Sequence, residues 1–312
     1  MYIVRDYQYA TIPDTGAVVA IGNFDGVHIG HQAVLDVVRE QAERLNCAMG
    51  VMTFEPHPRE YFAPDAPTFR LMNAEAKAHR LEKLGVTHLY QLNFNAALSN
   101  LSALEFCRDV IRDGLGIKHV VVGADFCFGK GRAGTADTLR EMGADLGFGV
   151  TILPLVSDDK GTFSSTAIRT ALSDGRPEDA ARMLGHWHRI DARVEHGDAR
   201  GRDLGYPTAN LSLDGLHLPK FGVYAVLVDV LEGPHKGAYI GAASIGDRPT
   251  FGMNVPNLEV FIFDFSGDIY DTEISVALVH FQRPELKFDS LEELIVQIDA
   301  DCVESRAILA KL

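Results

Sequence analysis

The sequence predicts an α/β domain followed by a mainly β domain: a parallel sheet covered by helices, then an antiparallel barrel with a closing helix. Three observations carry this. The first part alternates short apolar runs with stretches of helical spacing, the pattern of a parallel sheet covered on both faces. Beyond Gly185 the apolar segments are short and β-rich, separated by Gly, Pro and Asp at intervals typical of antiparallel barrels or sandwiches. At 312 residues the chain is also long for one core. The boundary is expected near residue 185, giving domains 1–185 and 186–312.

The elements follow in order. Residues 17–21 (AVVAI) come after the breaker PDTG and are short, apolar and β-branched, which suits a buried strand of a parallel sheet. From His31 onward Val34, Leu35, Val38, Ala42 and Leu45 recur at helical spacing. A strand at 48–54, a helix around 74–84, a strand at 88–94 and a helix near 104–112 come next. Residues 119–123 (HVVVG), a helix over 137–146 and a strand at 150–156 follow, and helices at 166–173 and 178–184 end the domain. In the second domain strands are expected at 223–230, 238–245, 258–265 and 273–281. Ser290 and Glu293 form a capping box ahead of the apolar stripe Leu291, Leu294, Ile295 and Ile298, so one helix closes the chain.

Composition excludes several classes. A formal charge of −14 argues against broad nucleic-acid or anionic-membrane binding, so any phosphate must be held locally by backbone amides and a few basic groups. The start, MYIVRDYQYA, lacks the pattern of a signal peptide, and no apolar run approaches the ~18 residues needed to span a membrane. Cys47, Cys107, Cys127 and Cys302 are scattered without CxxC spacing and read as reduced thiols of a cytoplasmic protein.

The first candidate site is GNFDGVHIGH, residues 22–31, between the first strand and its helix. In open α/β sheets ligands bind at such loops. Gly22, Gly26 and Gly30 suit a tight turn, by tolerating positive φ and close approach. The helix starting near Ile29 offers unpaired N–H groups to a phosphate. His28 and His31 share a face of its first turn and can donate to phosphate oxygens that gain charge during transfer. The same residues would also make a glycine-rich turn with two solvated histidines. A metal pair is the weaker third choice, because no Cys or carboxylate cluster accompanies them. Three more stretches follow predicted strands: TFEPHPREYF with His57 and Arg59, GADFCFGKGRAG with Asp125, Lys130 and Arg132, and FSSTAIR, residues 163–169. All could converge on one crevice at the sheet's carboxyl edge.

These stretches resemble the adenylyltransferase module of the bacterial bifunctional riboflavin kinase/FAD synthetases. GRDLGYPTANL, LPKFGVYAV, SIGDRPTFG, LEVFIFDF and FQRPELKF resemble the riboflavin kinase module, in the family's order. The resemblance implies a Rossmann-like nucleotidyltransferase sheet and a riboflavin-kinase barrel, with ATP, riboflavin and FMN as substrates. In the first module AMP passes from ATP to FMN, giving FAD and pyrophosphate. It implies that His28 and His31 steady the triphosphate, and that Asn23 with the backbone of Gly22, Phe24 and Asp25 holds the nucleotide. Ser164, Ser165, Thr166 and Arg169 would bind the departing pyrophosphate.

In the second module Thr208 and Asn210 of PTAN alternate along an extended segment, so both hard oxygens face one side, as Mg²⁺ favours. In the resembling kinases this pair binds the magnesium–nucleotide. Glu259 matches the carboxylate that takes the proton from the ribityl hydroxyl; without the match, an edge-strand Glu paired to a surface Arg is the preferred reading. Gly201 and Arg202, in GDARGR, look like a phosphate loop, a weak motif alone. Arg283 could hold flavin, order a loop or only brace the barrel. Phe163 and Ala124 depart from the family's usual residues, and GHWHRIDARVEHGDARGR departs more. Competing functions are an adenylyl- or cytidylyltransferase with another acceptor, and a flavin- or nucleotide-binding regulator without catalysis. Oligomeric state is left open.

Overall fold

Val18–Ile21, within the run AVVAI, is a strand with all four residues buried, as expected where both faces of a sheet are covered. The computed structural model describes residues 1–11, 15–154, 157–158, 161–196, 205–250 and 253–312. By its contacts the chain divides into two units, Met1–Pro67 with Lys77–Phe163, and Thr68–Ala76 with Ser164–Leu312.

The first unit holds β1 (Tyr2–Val4), β2 (Val18–Ile21), β3 (Met49–Glu55), β4 (His88–Asn93), β5 (His119–Gly123), the hairpin β6 (Cys127–Phe128) and β7 (Gly134–Thr135), β8 (Gly149–Leu153), and the hairpin β9 (Ser157–Asp158) and β10 (Gly161–Thr162). Six strands form one sheet in the order β1-β4-β3-β2-β5-β8, every pair parallel. The chain fills the sheet from β2 outward through β3 and β4, then returns to the other side of β2 with β5 and β8. That reversal is a switch point, and the loops after β2, β3, β5 and β8 leave from one edge there. The end of the strand expected at 150–156 lies partly outside the described residues.

Helices α1 (Ile29–Leu45), α2 (Pro58–Phe62), α3 (Ala74–Lys83), α4 (Ala96–Ser99), α5 (Ala103–Glu105) and α6 (Ala136–Leu146) connect these strands. The helix expected at 104–112 is α5 running into a π-helix, Phe106–Gly114. Strand β1 is an addition to the expected set. It has three residues, with Tyr2 60% and Ile3 41% exposed, so no apolar run announces it; its register, Tyr2↔His88 to Val4↔Tyr90, comes from β4.

The second unit contains α7 (Ser165–Ser173), α8 (Pro177–Leu184) and six antiparallel strands: β11 (His188–Arg193), β12 (Thr208–Ser212), β13 (Gly222–Val230), β14 (Gly237–Thr250), β15 (Met253–Ile262) and β16 (Glu273–Arg283). Their order is β11-β16-β13-β14-β15-β12, and the curled sheet's two edges touch where Glu195 N–H donates to Asn210 O at 2.8 Å. Leu211, Tyr224, Val226, Leu258, Val260 and Leu278 are part of the core this curl encloses.

The closing helix, α9 (Leu291–Leu309), differs from its expected packing. Leu294, Ile295 and Ile298 are only half-buried, Leu291 is exposed, and the buried residues are Asp301, Ser305 and Leu309. The reason is polar. Arg283 Nε and Nη2 donate to the two carboxylate oxygens of Asp301 at 2.9 and 2.6 Å, and Gln282 Nε2 reaches Ser305 Oγ at 2.9 Å. A buried carboxylate is tolerated when paired this way. Arg283 therefore braces the barrel, the third of the roles open to it. Ser290 Oγ does accept from Glu293 N–H at 3.2 Å, but the Glu293 carboxylate returns to Asp289 N–H, so the box closes one residue early.

Candidate functional site

After Ile21 the chain turns through residues 22–28 into α1. Phe24, Gly26 and Val27 have φ of 51°, 85° and 44°. Only one of the three glycines thus supplies left-handed backbone; Phe24 and Val27 hold it at a cost, which is common where function fixes a loop. Gly30 is needed for closeness, since a Cβ there would lie 3.1 Å from the His28 ring. Gln32 Nε2 donates to Val27 O at 2.9 Å and pins the turn.

His28 caps α1, its Nδ1 accepting from His31 N–H at 3.3 Å. The two histidine rings stack with centroids 3.6 Å apart and 18° between planes, and the Phe24 ring lies 4.8 Å from His31. Burial first, then the neighbouring His28 and Lys77 charges, hold His31 well below the usual histidine range, so its ring is neutral near pH 7. His31 Nδ1 is buried and has no hydrogen-bond partner among the described residues. An orphaned nitrogen at a helix N-terminus fits a site that a ligand completes. Phe24 and Asp25 are 2% and 5% exposed, so what this turn offers a nucleotide is its backbone and the exposed Asn23.

Elsewhere along that edge, His57 caps α2 by accepting from Arg59 N–H at 3.0 Å. Tyr61 and Phe62, 36% and 68% exposed, sit edge-on to Phe94, which also contacts Phe54. The sequence reading passed over this aromatic group; the doublet Tyr61–Phe62 at the end of TFEPHPREYF was its signal. It also passed over Lys77, which is buried and bonds Glu55, Thr53 and the Asn23 carbonyl. Its spacing from Leu81 and Leu84 puts a lysine on an apolar helix face, and that was the available signal. Among the described residues no three His, Cys, Asp or Glu side chains cluster to hold a metal.

Ser164, Ser165, Thr166 and Arg169 belong to the second unit. Ser164 caps α7, its Oγ accepting from Ala167 N–H at 3.2 Å. Arg169, one turn in, donates from Nε to Phe69 O at 2.5 Å, with its guanidinium 5.2 Å from the Phe69 ring centre.

In the curled sheet β12 pairs with β15 so that Asn210 stands opposite Glu259 and Thr208 opposite Phe261. The alternation puts Thr208 and Asn210 on one side, as expected. Asn210 is 8% exposed. Asn257 Nδ2 lies between the pair, donating to Asn210 Oδ1 at 3.4 Å and to Glu259 Oε1 at 3.3 Å. Glu259 thus meets an amide where a surface arginine was the alternative. Just upstream, Tyr206 donates to Asp299 Oδ1 of α9 at 2.7 Å, and that bond leads the causes pushing its hydroxyl up to about 12. Gly201 and Arg202 lie outside the described residues.

A histidine pair at the switch point of a parallel sheet, joined in one chain to a curled antiparallel sheet bearing PTAN, defines a two-module nucleotide-using enzyme. Residues 11–167 match the family described as FAD synthetase, and residues 184–309 that described as riboflavin kinase. The chain is 42% identical over 311 residues to the bifunctional riboflavin kinase/FMN adenylyltransferase of Pseudomonas fluorescens, covering 99% of this chain and 98% of the relative. It is 40% identical over 307 residues to the protein of that name from Escherichia coli K12, covering 98% and 97%. Its structure is similar to a crystal structure described as a macrolide-efflux protein from Streptococcus pneumoniae, with a TM-score of 0.82, 34% identity and 96% of each chain covered. The chain belongs to the bifunctional riboflavin kinase/FMN adenylyltransferase family. Among the described residues no helix is long and apolar enough to cross a membrane.

Proposed function

We infer that the chain phosphorylates riboflavin to FMN with ATP, then adenylylates FMN with a second ATP to FAD and pyrophosphate. One observation carries the reading: the chemically committed residues form two separate constellations, His28–His31 at the edge of the parallel sheet and Asn210–Glu259 across two strands of the curled one. Residues 1–185 are assigned to adenylyl transfer and 186–312 to the kinase, in a cytoplasmic enzyme acting on small molecules.

In adenylyl transfer the FMN phosphate attacks the α-phosphorus of ATP directly, so no covalent nucleophile is needed and catalysis is alignment plus charge stabilisation. His28 and His31 receive the phosphates at the α1 N-terminus, with Asn23 and the backbone of residues 22–25. Ser164, Ser165, Thr166 and Arg169 bind the pyrophosphate through the α7 N-terminus and the guanidinium. The exposed faces of Tyr61 and Phe62 suit a flat apolar ring such as isoalloxazine.

For the kinase, the Thr208 hydroxyl and the Asn210 amide oxygen are hard donors that fit Mg²⁺, and the 3.4 Å bond from Asn257 to Asn210 Oδ1 is long enough to be exchanged. Bound there with ATP, Mg²⁺ would supply charge neutralisation at the phosphates. Glu259, held by Asn257, takes the proton of the ribityl hydroxyl as that oxygen attacks the γ-phosphorus and the bond to the β–γ bridging oxygen breaks, releasing ADP. Gly201 and Arg202 are assigned to the phosphates of this second ATP.

The test is a product assay. Purified protein with riboflavin, ATP and Mg²⁺ yields FMN and then FAD, separated by chromatography. FMN accumulating with no FAD rules out a working first module, and flavin binding with no turnover would make the chain a regulator.

A further inference from the structure

Among the described residues Lys77 is the one buried lysine, at 4% exposure, and no step assigned above uses it. A lysine is almost never so buried unless paired. The ammonium has three donors, and three acceptors surround it: Glu55 Oε1 at 3.0 Å, Thr53 Oγ1 at 3.2 Å and Asn23 O at 3.3 Å. Glu55 answers the charge, and Thr53 and Glu55 both stand at the end of β3. The third bond is different in kind, because it reaches across to the main chain of the β2–α1 turn.

That carbonyl belongs to the peptide joining Asn23 to Phe24, where φ is 51°. In a trans peptide the C=O and N–H point in opposite directions. Drawing the Asn23 carbonyl onto a buried ammonium therefore turns the Phe24 N–H away from the interior. Among the described residues nothing accepts from that N–H. An N–H fixed in this way is a preset donor for an anion.

We propose that Lys77 is a positioning residue of the adenylyltransferase: it holds the Asn23 carbonyl inward and so presents the Phe24 N–H to the phosphates of ATP. The proposal rests on the assignment of the His28–His31 turn to ATP. Its charge also bears on the site, being one of the causes that keep the His31 ring neutral.

The experiment is FAD formation from supplied FMN by the full chain, with ATP and FMN varied separately. Lys77→Met keeps length and removes all three donors. It raises the KM for ATP about tenfold, as expected for lost charge-assisted positioning, while the KM for FMN and riboflavin phosphorylation by the same preparation stay within about twofold of the parent. A lysine that served only the fold would lower the active fraction, and with it kcat, leaving both KM values unchanged; that result overturns the proposal. Should Lys77→Met fail to fold, judged by hydrogen exchange of the β2 and β3 amides, Lys77→Met with Glu55→Gln removes both charges and still lacks the bond to Asn23. A parental KM for ATP in that double variant overturns it equally. His31→Ala, assayed in parallel, separates the two claims. If it still makes FAD normally, the site assignment falls and Lys77 with it; if it does not, an unchanged KM in the Lys77 variants defeats the role of Lys77 alone.

Discussion

At the scale of single residues, the histidine pair was legible because everything that builds it is local. His28 caps the helix in which His31 is the third residue, and a cap and its first turn are specified within a few positions of sequence. His31→Ala is expected to lower FAD formation from supplied FMN by about 10²–10³-fold, the usual loss of one donor to developing charge. Riboflavin phosphorylation in the same preparation should be unchanged. Loss of both activities in a folded variant would contradict the assignment of the pair to one module. The conformations around the pair were less legible. Glycine spacing marks a tight turn, yet the residues with positive φ include Phe24 and Val27, both buried and of types that rarely adopt it, so residue type alone does not announce them. Lys77 and Asn257 were missed for a related reason: their partners lie on other elements, and no short-range pattern encodes a bond across 54 or 47 residues.

At the scale of elements, most strands and helices with strong apolar periodicity lie within one or two residues of their expected bounds, but the strands expected at 238–245 and 258–265 are Gly237–Thr250 and Met253–Ile262, and elements held by distant polar contacts were not legible. Helix α9 is the clearest case. Its stripe suggested a hydrophobic seat, but Asp301, Ser305 and Leu309 are what it buries, and Arg283, 18 residues earlier, supplies the counter-charge. Removing one partner of such a pair leaves the other buried and uncompensated, typically at about 3–5 kcal/mol. Asp301→Ala should therefore destabilise the curled sheet by about that amount, whereas Arg283→Met with Asp301→Leu should recover most of it. Urea unfolding followed by the fluorescence of Trp187, the single tryptophan, measures both. The same probe reports on His188, the first residue of β11. Burial, with His186 and His217 adding to it, lowers His188 from 6.5 to about 3. Above pH 6.5 folded and unfolded chains both carry it neutral. Below, the unfolded chain takes up a proton that the fold refuses, so stability falls as pH drops, by up to about 1.4 kcal/mol per unit until the folded value is reached. The urea midpoint should decline between pH 6.5 and 5 and decline less in His188→Gln; equal slopes would mean that other groups dominate acid sensitivity.

At the scale of the whole molecule, the change of texture beyond Gly185 announced two architectures, because alternating and antiparallel patterns differ over tens of residues and average out local noise. Where one unit ends is harder to read, since contacts assign 68–76 and 164–185 to the second unit although the chain enters them from the first. A sequence records order along the chain, whereas a division by contacts records neighbours in space. On the proposed assignment, FMN is the product of one constellation and the substrate of the other, with no reacting residue in common. Asn210→Ala should then lose FMN formation and still adenylylate supplied FMN, while His31→Ala should stop at FMN. Neither variant alone should make FAD from riboflavin at an appreciable rate. Mixed in one tube with riboflavin, ATP and Mg²⁺, they should make it together, after a lag during which FMN made by one variant builds up toward the KM of the other. Excess of a third variant carrying both substitutions should not abolish the recovery. FAD that stays absent from the mixture, although each variant retains its single activity, would mean that FMN never leaves the molecule that made it.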